Sequence, residues 1–247
     1  MMRWFLGLLL SCSGLVCFSE VAYAGSFDVS PVSVTLSDKE SSATLKLTNH
    51  ADEAVRFHVT AFAWDQKSSG EMVLNPTSDV VFFPAMLTLR PNEARNLRVG
   101  VQAKPGAAEK TYRIFVQELP PTVTPENPGV VRVLMKVGIP IFLEPRSAVA
   151  KPLLADLAVQ DKTLTFNVKN AGNKHLRLQK LVIKALSGGK LVYSRELDPW
   201  YVLAGGTRTY SVEIPADACK SQNSMQIELQ SDHGAANASL ANAHCAP

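Results

Sequence analysis

"VVRVLMKVGIPIF", residues 130–142, decides how the chain is read. Successive side chains of an extended backbone alternate between faces. Val131, Val133, Met135, Val137 and Ile139 therefore share one face, while Arg132 and Lys136 interrupt Val130 and Leu134 on the other. One whole apolar face is what a strand on a core requires. The stretch before it, "ELPPTVTPENPG" (118–129), carries four prolines. Proline has no N–H to donate, so this loop can neither pair as a ladder nor continue as a helix. A strongly apolar strand thus follows a long proline-rich loop.

Outward from this strand the chain has almost no helical periodicity. Short alternating runs bounded by turn residues mark a sandwich or barrel. In the first half these are "FDVSPVSVTL", "SATLKLTN", "AVRFHVTAFAW", "NLRVGVQ" and "TYRIFVQEL". "MLTLRPNEARNLRVGV" places a Pro-Asn-Glu turn between two strands. In the second half they are "LTFNVKN", "LRLQKLVIKAL", "KLVYSREL", "RTYSVEI" and "SMQIELQ". Gly188-Gly189 fits a two-residue hairpin with positive φ. Pro145 and Pro152 bracket a linker, which divides the chain into residues 25–144 and 145–247. The expected fold is all-β: two immunoglobulin-like sandwiches of roughly 100–120 residues each, with a cleft between them.

The first 24 residues read as an export signal, with Arg3 before the apolar "WFLGLLLSCSGLVCF" and Ala22-Tyr23-Ala24 as a cleavage site. The apolar run is too short, and too soon followed by Glu20, for a stable membrane span. "LLSC", ending at Cys12, is an alternative lipidation box. Past the signal two cysteines remain, Cys219 and Cys245, and in an oxidising compartment a disulfide is the default. A zinc site with His233 and His244 is the other reading, but the spacing matches no established zinc pattern. A net charge of +3 points to neither nucleic acid nor a strongly anionic surface as partner.

No hydrolase, zinc-protease or phosphate-loop motif occurs, and the five histidines lie at no metal-ligand spacing. No enzyme activity, metal or cofactor is expected, which leaves binding. Trp64 and the pair Trp200-Tyr201 would serve a carbohydrate-binding or adhesion module if exposed. In apolar strand context they read first as core. Carboxylates facing each other across the cleft would mark a hydrolase.

Taken together, "TYRIFVQELPP", a proline-rich loop and an alternating strand ending "IPIFLEP" resemble the periplasmic pilus-assembly chaperones of the PapD-like family. "DVSPVSVTLSDKESSATLKLTN" and "PAMLTLRPNEARNLRVG" resemble further landmarks of that family. The resemblance covers essentially the whole exported chain and is most specific in the first half. It implies two immunoglobulin-like domains in an L-shaped arrangement, a periplasmic location, and pilus or fimbrial subunits and an outer-membrane usher as partners. It also implies donor-strand complementation: the chaperone lends a strand to a subunit whose immunoglobulin-like fold lacks one. The lent residues would be Val131, Val133, Met135, Val137 and Ile139.

The family's better-known members hold the subunit's terminal carboxylate with two basic residues, and the matching positions here are Ser33 and Pro140. The "TYRIFVQELPP…GIPIFLEP" pattern is more similar to the archaic, spore-coat-U-associated branch, in which the anchor is expected from the neighbouring strand. Arg113 is then the first candidate anchor, Arg98 the second and Lys136 the third.

Overall fold

A computed structural model describes residues 27–121 and 133–241 of the chain. The expected export signal, Val131 and Cys245 lie outside these residues. In the first half the strands are β1 (Phe27–Ser30), β2 (Val34–Leu36), β3 (Ser42–Asn49), β4 (Val55–Gln66), β5 (Met72–Pro76), β6 (Val80–Phe83), β7 (Met86–Leu89), β8 (Ala94–Val101), β9 (Lys110–Leu119) and β10 (Lys136–Leu143). They form two sheets, β1-β3-β8-β6 and β2-β10-β9-β4-β5, with β7 also paired to β4. Alternation explains the layering. Leu45 and Leu47 of β3 and Leu97 and Val99 of β8 face Phe57 and Val59 of β4, Ile114 and Val116 of β9, and Ile139 and Ile141 of β10, all in one buried cluster.

The second half repeats the plan with β11 (Pro152–Gln160), β12 (Thr163–Asn170), β13 (Leu176–Ser187), β14 (Lys190–Leu197), β15 (Tyr201–Val202), β16 (Thr207–Glu213), the short helix α1 (Ala216–Ser221), β17 (Ser224–Ser231) and β18 (Gly234–Ala241). Its sheets are β11-β12-β16 and β14-β13-β17-β18, with β15 also on β13. Phe166 stacks on Tyr210 at 5.1 Å inside this core. The Ser187–Lys190 hairpin closes as expected, with Gly188 and Gly189 at φ of 53° and 81°. Strands β5, β6, β11 and β15 go beyond the sequence reading; β5 and β6 are short and each is followed by proline or a turn, so neither builds a recognisable period.

One device recurs in both sandwiches. Asn49 ends β3, and its buried amide donates to the carbonyls of Glu53, Leu89 and Arg90 while its oxygen accepts from Ala51 N. Asn170 ends β12 and does the same, donating to Lys174, Val202 and Leu203 and accepting from Gly172 N. Each asparagine satisfies carbonyls that a loop would otherwise bury unpaired.

The Asn170 loop packs tightly on the linker. A Cβ at Gly172 would lie 2.1 Å from the Val149 carbonyl oxygen and 2.7 Å from Ala150 Cα. These are backbone atoms with nowhere to swing, so Gly172→Ala is expected to cost about 3 kcal/mol, read as a lower urea midpoint.

The Pro-Asn-Glu turn forms as expected, with Asn92 at φ 60°. Glu93 Oε2 accepts from Arg90 N at 2.9 Å, and Oε1 accepts from Arg95. The Arg90 backbone bond first, then Arg95, hold the Glu93 carboxyl at about 2 against an ordinary 4.5. A depressed folded value stabilises the fold fully above 4.5, and that contribution disappears as pH falls through 2. Glu93→Gln should therefore lower the urea midpoint at pH 7. The gap to wild type should close as pH falls through that window.

Candidate functional site

Strand β10 is covered unequally on its two sides. Toward β9 it pairs along its whole length, from Lys136 opposite Gln117 to Leu143 opposite Lys110. On the other side β2 runs parallel to Ile141–Leu143 only. Among the described residues no strand pairs with residues 136–140 on that side, so their outward backbone groups form an open edge. Along the same stretch the inward row of side chains leaves the core by degrees. Ile139 is 1% exposed and built into the domain's own core, Val137 and Met135 are half-buried against it, and Val133 is 81% exposed.

The strand begins at Lys136, later than the alternation suggests. Beyond Leu119 the partner strand becomes Pro120-Pro121, which cannot donate. The last rung is Glu118 N to Met135 O at 2.9 Å. On the opposite face a Cβ at Gly138 would lie 2.7 Å from Phe115, so only glycine lets this ring lie flat across β10. Lys136 Nζ covers the same ring, 4.6 Å from its centroid.

Arg113 sits one strand away, opposite Pro140 on β10 and Phe62 on β4. Its neighbours Tyr112 and Ile114 face the core, so the alternation turns Arg113 to the other face of the sheet, toward the second sandwich. There its guanidinium carbon lies 4.6 Å from the ring centroid of Trp64 and 5.3 Å from that of Trp200. Nη1 meets Met72 Sδ at 3.3 Å, and Nε is buried without a partner. No carboxylate among the described residues lies within ion-pair distance of it. Burial lowers the Arg113 pKa and neighbouring Tyr201 pushes the other way; a guanidinium remains charged in either case. The chain thus holds a nearly buried, unneutralised cation between aromatic faces.

The floor of this cleft joins the two sandwiches. Trp64, Phe142 and Leu203 are buried together, with Tyr201 and Met72 against them. Gln66 donates to Tyr201 O at 3.0 Å, and Thr209 N donates to Ser68 O at 2.7 Å. Below, the fully buried Glu109 carboxylate accepts from His175 N at 2.9 Å and pairs with His175 Nδ1 at 2.8 Å. His175 stacks on Phe142 at 3.7 Å, and Lys174 pairs with Glu144.

Of the basic candidates, Arg113 alone lies between the aromatic walls. Lys136 is on the same sheet but over Phe115. Arg98 is exposed on β8 in the opposite sheet, where it meets Ser42 Oγ at 3.3 Å. Trp64, only 3% exposed, is enclosed by Phe142, Tyr201 and Arg113. Sequence reasoning missed Trp200 as a neighbour of Arg113 and missed the Glu109–His175 pair. A lone charge inside the apolar "TYRIFV" was the one signal for the cleft.

The family model described as "pili and flagellar-assembly chaperone, PapD N-terminal domain" matches residues 26–149, half of the chain. The chain belongs to this pilus chaperone family. The family gives it a chaperone role in pilus assembly, and pilus chaperones of this kind are periplasmic. Among the described residues no helix is long and apolar enough to cross a membrane.

No curated protein matches the sequence. Solved structures share the fold of this chaperone over most of its length. The CsuC–CsuE chaperone–tip adhesion subunit pre-assembly complex, from archaic chaperone-usher Csu pili of Acinetobacter baumannii, matches at 20% identity and TM-score 0.61, covering 87% of this chain and 97% of that one. The YadV chaperone matches at 14% identity and TM-score 0.60, covering 87% and 100%. The complex of Salmonella enterica SafA pilin with the SafB chaperone matches at 14% identity and TM-score 0.54, covering 87% and 96%.

Proposed function

We propose that this chaperone completes the fold of pilus subunits by lending them the free edge of β10, and then delivers them to an outer-membrane usher. The observation that carries the proposal is the open backbone edge at residues 136–140 beside a row of side chains that runs from buried Ile139 to exposed Val133. A subunit strand laid along that edge gains main-chain hydrogen bonds. Val133, Met135 and Val137, with Val131 beyond them, fill its groove, while Ile139 joins that groove to the chaperone's own core. The thioether chain of Met135 adapts to an irregular groove.

Arg113 then takes the subunit's terminal carboxylate, because a cation with no counter-charge in a desolvated cleft gains most from an incoming anion. Arg98 and Lys136 lie less favourably for that role. The domain division at residues 144 and 145, export through the N-terminal signal and the absence of catalysis belong to the same proposal. Affinity capture of the tagged chaperone from periplasm, followed by mass spectrometry, tests it. A small alternating-β subunit should co-purify stoichiometrically, and a glycan as the sole ligand would sink it.

The same proposal pairs Cys219 with Cys245. Cys219 is buried on α1 against the second core and carries a disulfide, which supports the pairing. Closing a loop of about 25 residues contributes roughly 3 kcal/mol. Reduction should lower the unfolding midpoint accordingly, and non-reducing peptide mapping should recover the two cysteines in one species.

A further inference from the structure

We propose that Trp200, from the second domain, is a positioning residue for Arg113, clamping its guanidinium against Trp64. This rests on the anchor role proposed above for Arg113. The two indoles lie 4.6 and 5.3 Å from the guanidinium carbon, one contributed by each sandwich.

A cation between two ring faces keeps its in-plane N–H groups for another partner, and a carboxylate binds guanidinium in that plane. Trp200 is itself fixed. Its carbonyl accepts from Leu178 N at 2.9 Å, its ring meets Tyr201 edge-on at 5.8 Å, and the Tyr201 carbonyl is held by Gln66 of the first sandwich. The chain from Gln66 through Tyr201 to Trp200 therefore sets where the second wall stands. Without that wall the arginine side chain keeps several rotatable bonds and loses the ring that holds it against Trp64. The second domain then supplies part of the binding site as well as one side of the cleft.

Phenylglyoxal, which modifies accessible arginines, reads this directly when the full-length chaperone is digested and analysed by mass spectrometry, with exposed Arg98 as internal standard. In wild type Arg113 should react far more slowly than Arg98. In Trp200→Leu the Arg113 rate should rise about tenfold, the scale of a desolvated cation–π contact, and subunit recovery from periplasm should fall. Trp200→Phe should restore both. Circular dichroism checks folding; if the Leu variant is unfolded, Trp200→Met, which keeps apolar length without a ring, replaces it.

Wild-type reactivity and recovery in the ring-less variant would overturn the proposal, as would a Phe variant that behaves like it. The two proposals fail separately. Unchanged recovery in Arg113→Met removes the anchor, whereas loss there with no effect at Trp200 removes only the clamp.

Discussion

Chaperone in which Val133 and Met135 are both replaced by aspartate will fold normally and recover no subunit from the periplasm. Val133 is 81% exposed, so an aspartate there changes stability by about 0.5 kcal/mol or less. Met135 is half-buried at the rim of the core and adds about 1 kcal/mol more, within what a stable domain tolerates. In a subunit's groove the same two side chains would meet apolar surface. Each loses roughly 1.5–3 kcal/mol of burial, and each carboxylate adds a desolvation cost of several kcal/mol. Together these exceed what a complex can lose and still survive purification. Thermal melts of the variant, with immunoblots of co-expressed subunit, provide the check. Full recovery from a folded variant would end strand donation through this segment.

The second large effect is expected at Arg113, where stability and function should move in opposite directions. Arg113→Met removes a desolvated charge that no carboxylate balances, and Met matches the apolar surroundings of Trp64, Met72 and Trp200. Replacing a buried charge with a packed apolar side chain is often neutral or stabilising, so the urea midpoint should hold or rise. Subunit capture should fall by about thirtyfold or more, since removing one partner of a buried charge pair costs 2 kcal/mol or more. A variant both less stable and fully active would show that the cation serves the fold. Retaining a costly charged group is expected only where binding requires it.

Much of the sandwich plan was legible because alternation reports burial directly. β8, β9 and the inner face of β10 each read correctly from period two. The start of β10 did not, because a strand needs a partner as well as a pattern, and Pro120-Pro121 deny it one. β5 and β6 were too short to carry a period. Arg113 stood out as a charge among apolar neighbours, but its surroundings did not. Trp64, Met72 and Trp200 come from separate strands and a loop, and only the tertiary fold unites them. Glu109 and His175 are 66 positions apart, and nothing local to either residue announces the other.

The Asn170 knot has a consequence for timing. Its loop carries Asn173, Lys174 and His175, which grip Ala107, Glu144 and Glu109 of the first sandwich. On the proposed function, the lending edge would be complete once the chain has reached Leu143, whereas the socket for the client's tail would have to wait for Trp200, Tyr201 and the loop that Asn170 closes. A half-made chaperone would thus be adhesive but unable to lock, and would let a client go. On that reading, secure custody of a client would begin only when Trp200 and Tyr201, in the last fifth of the chain, have arrived.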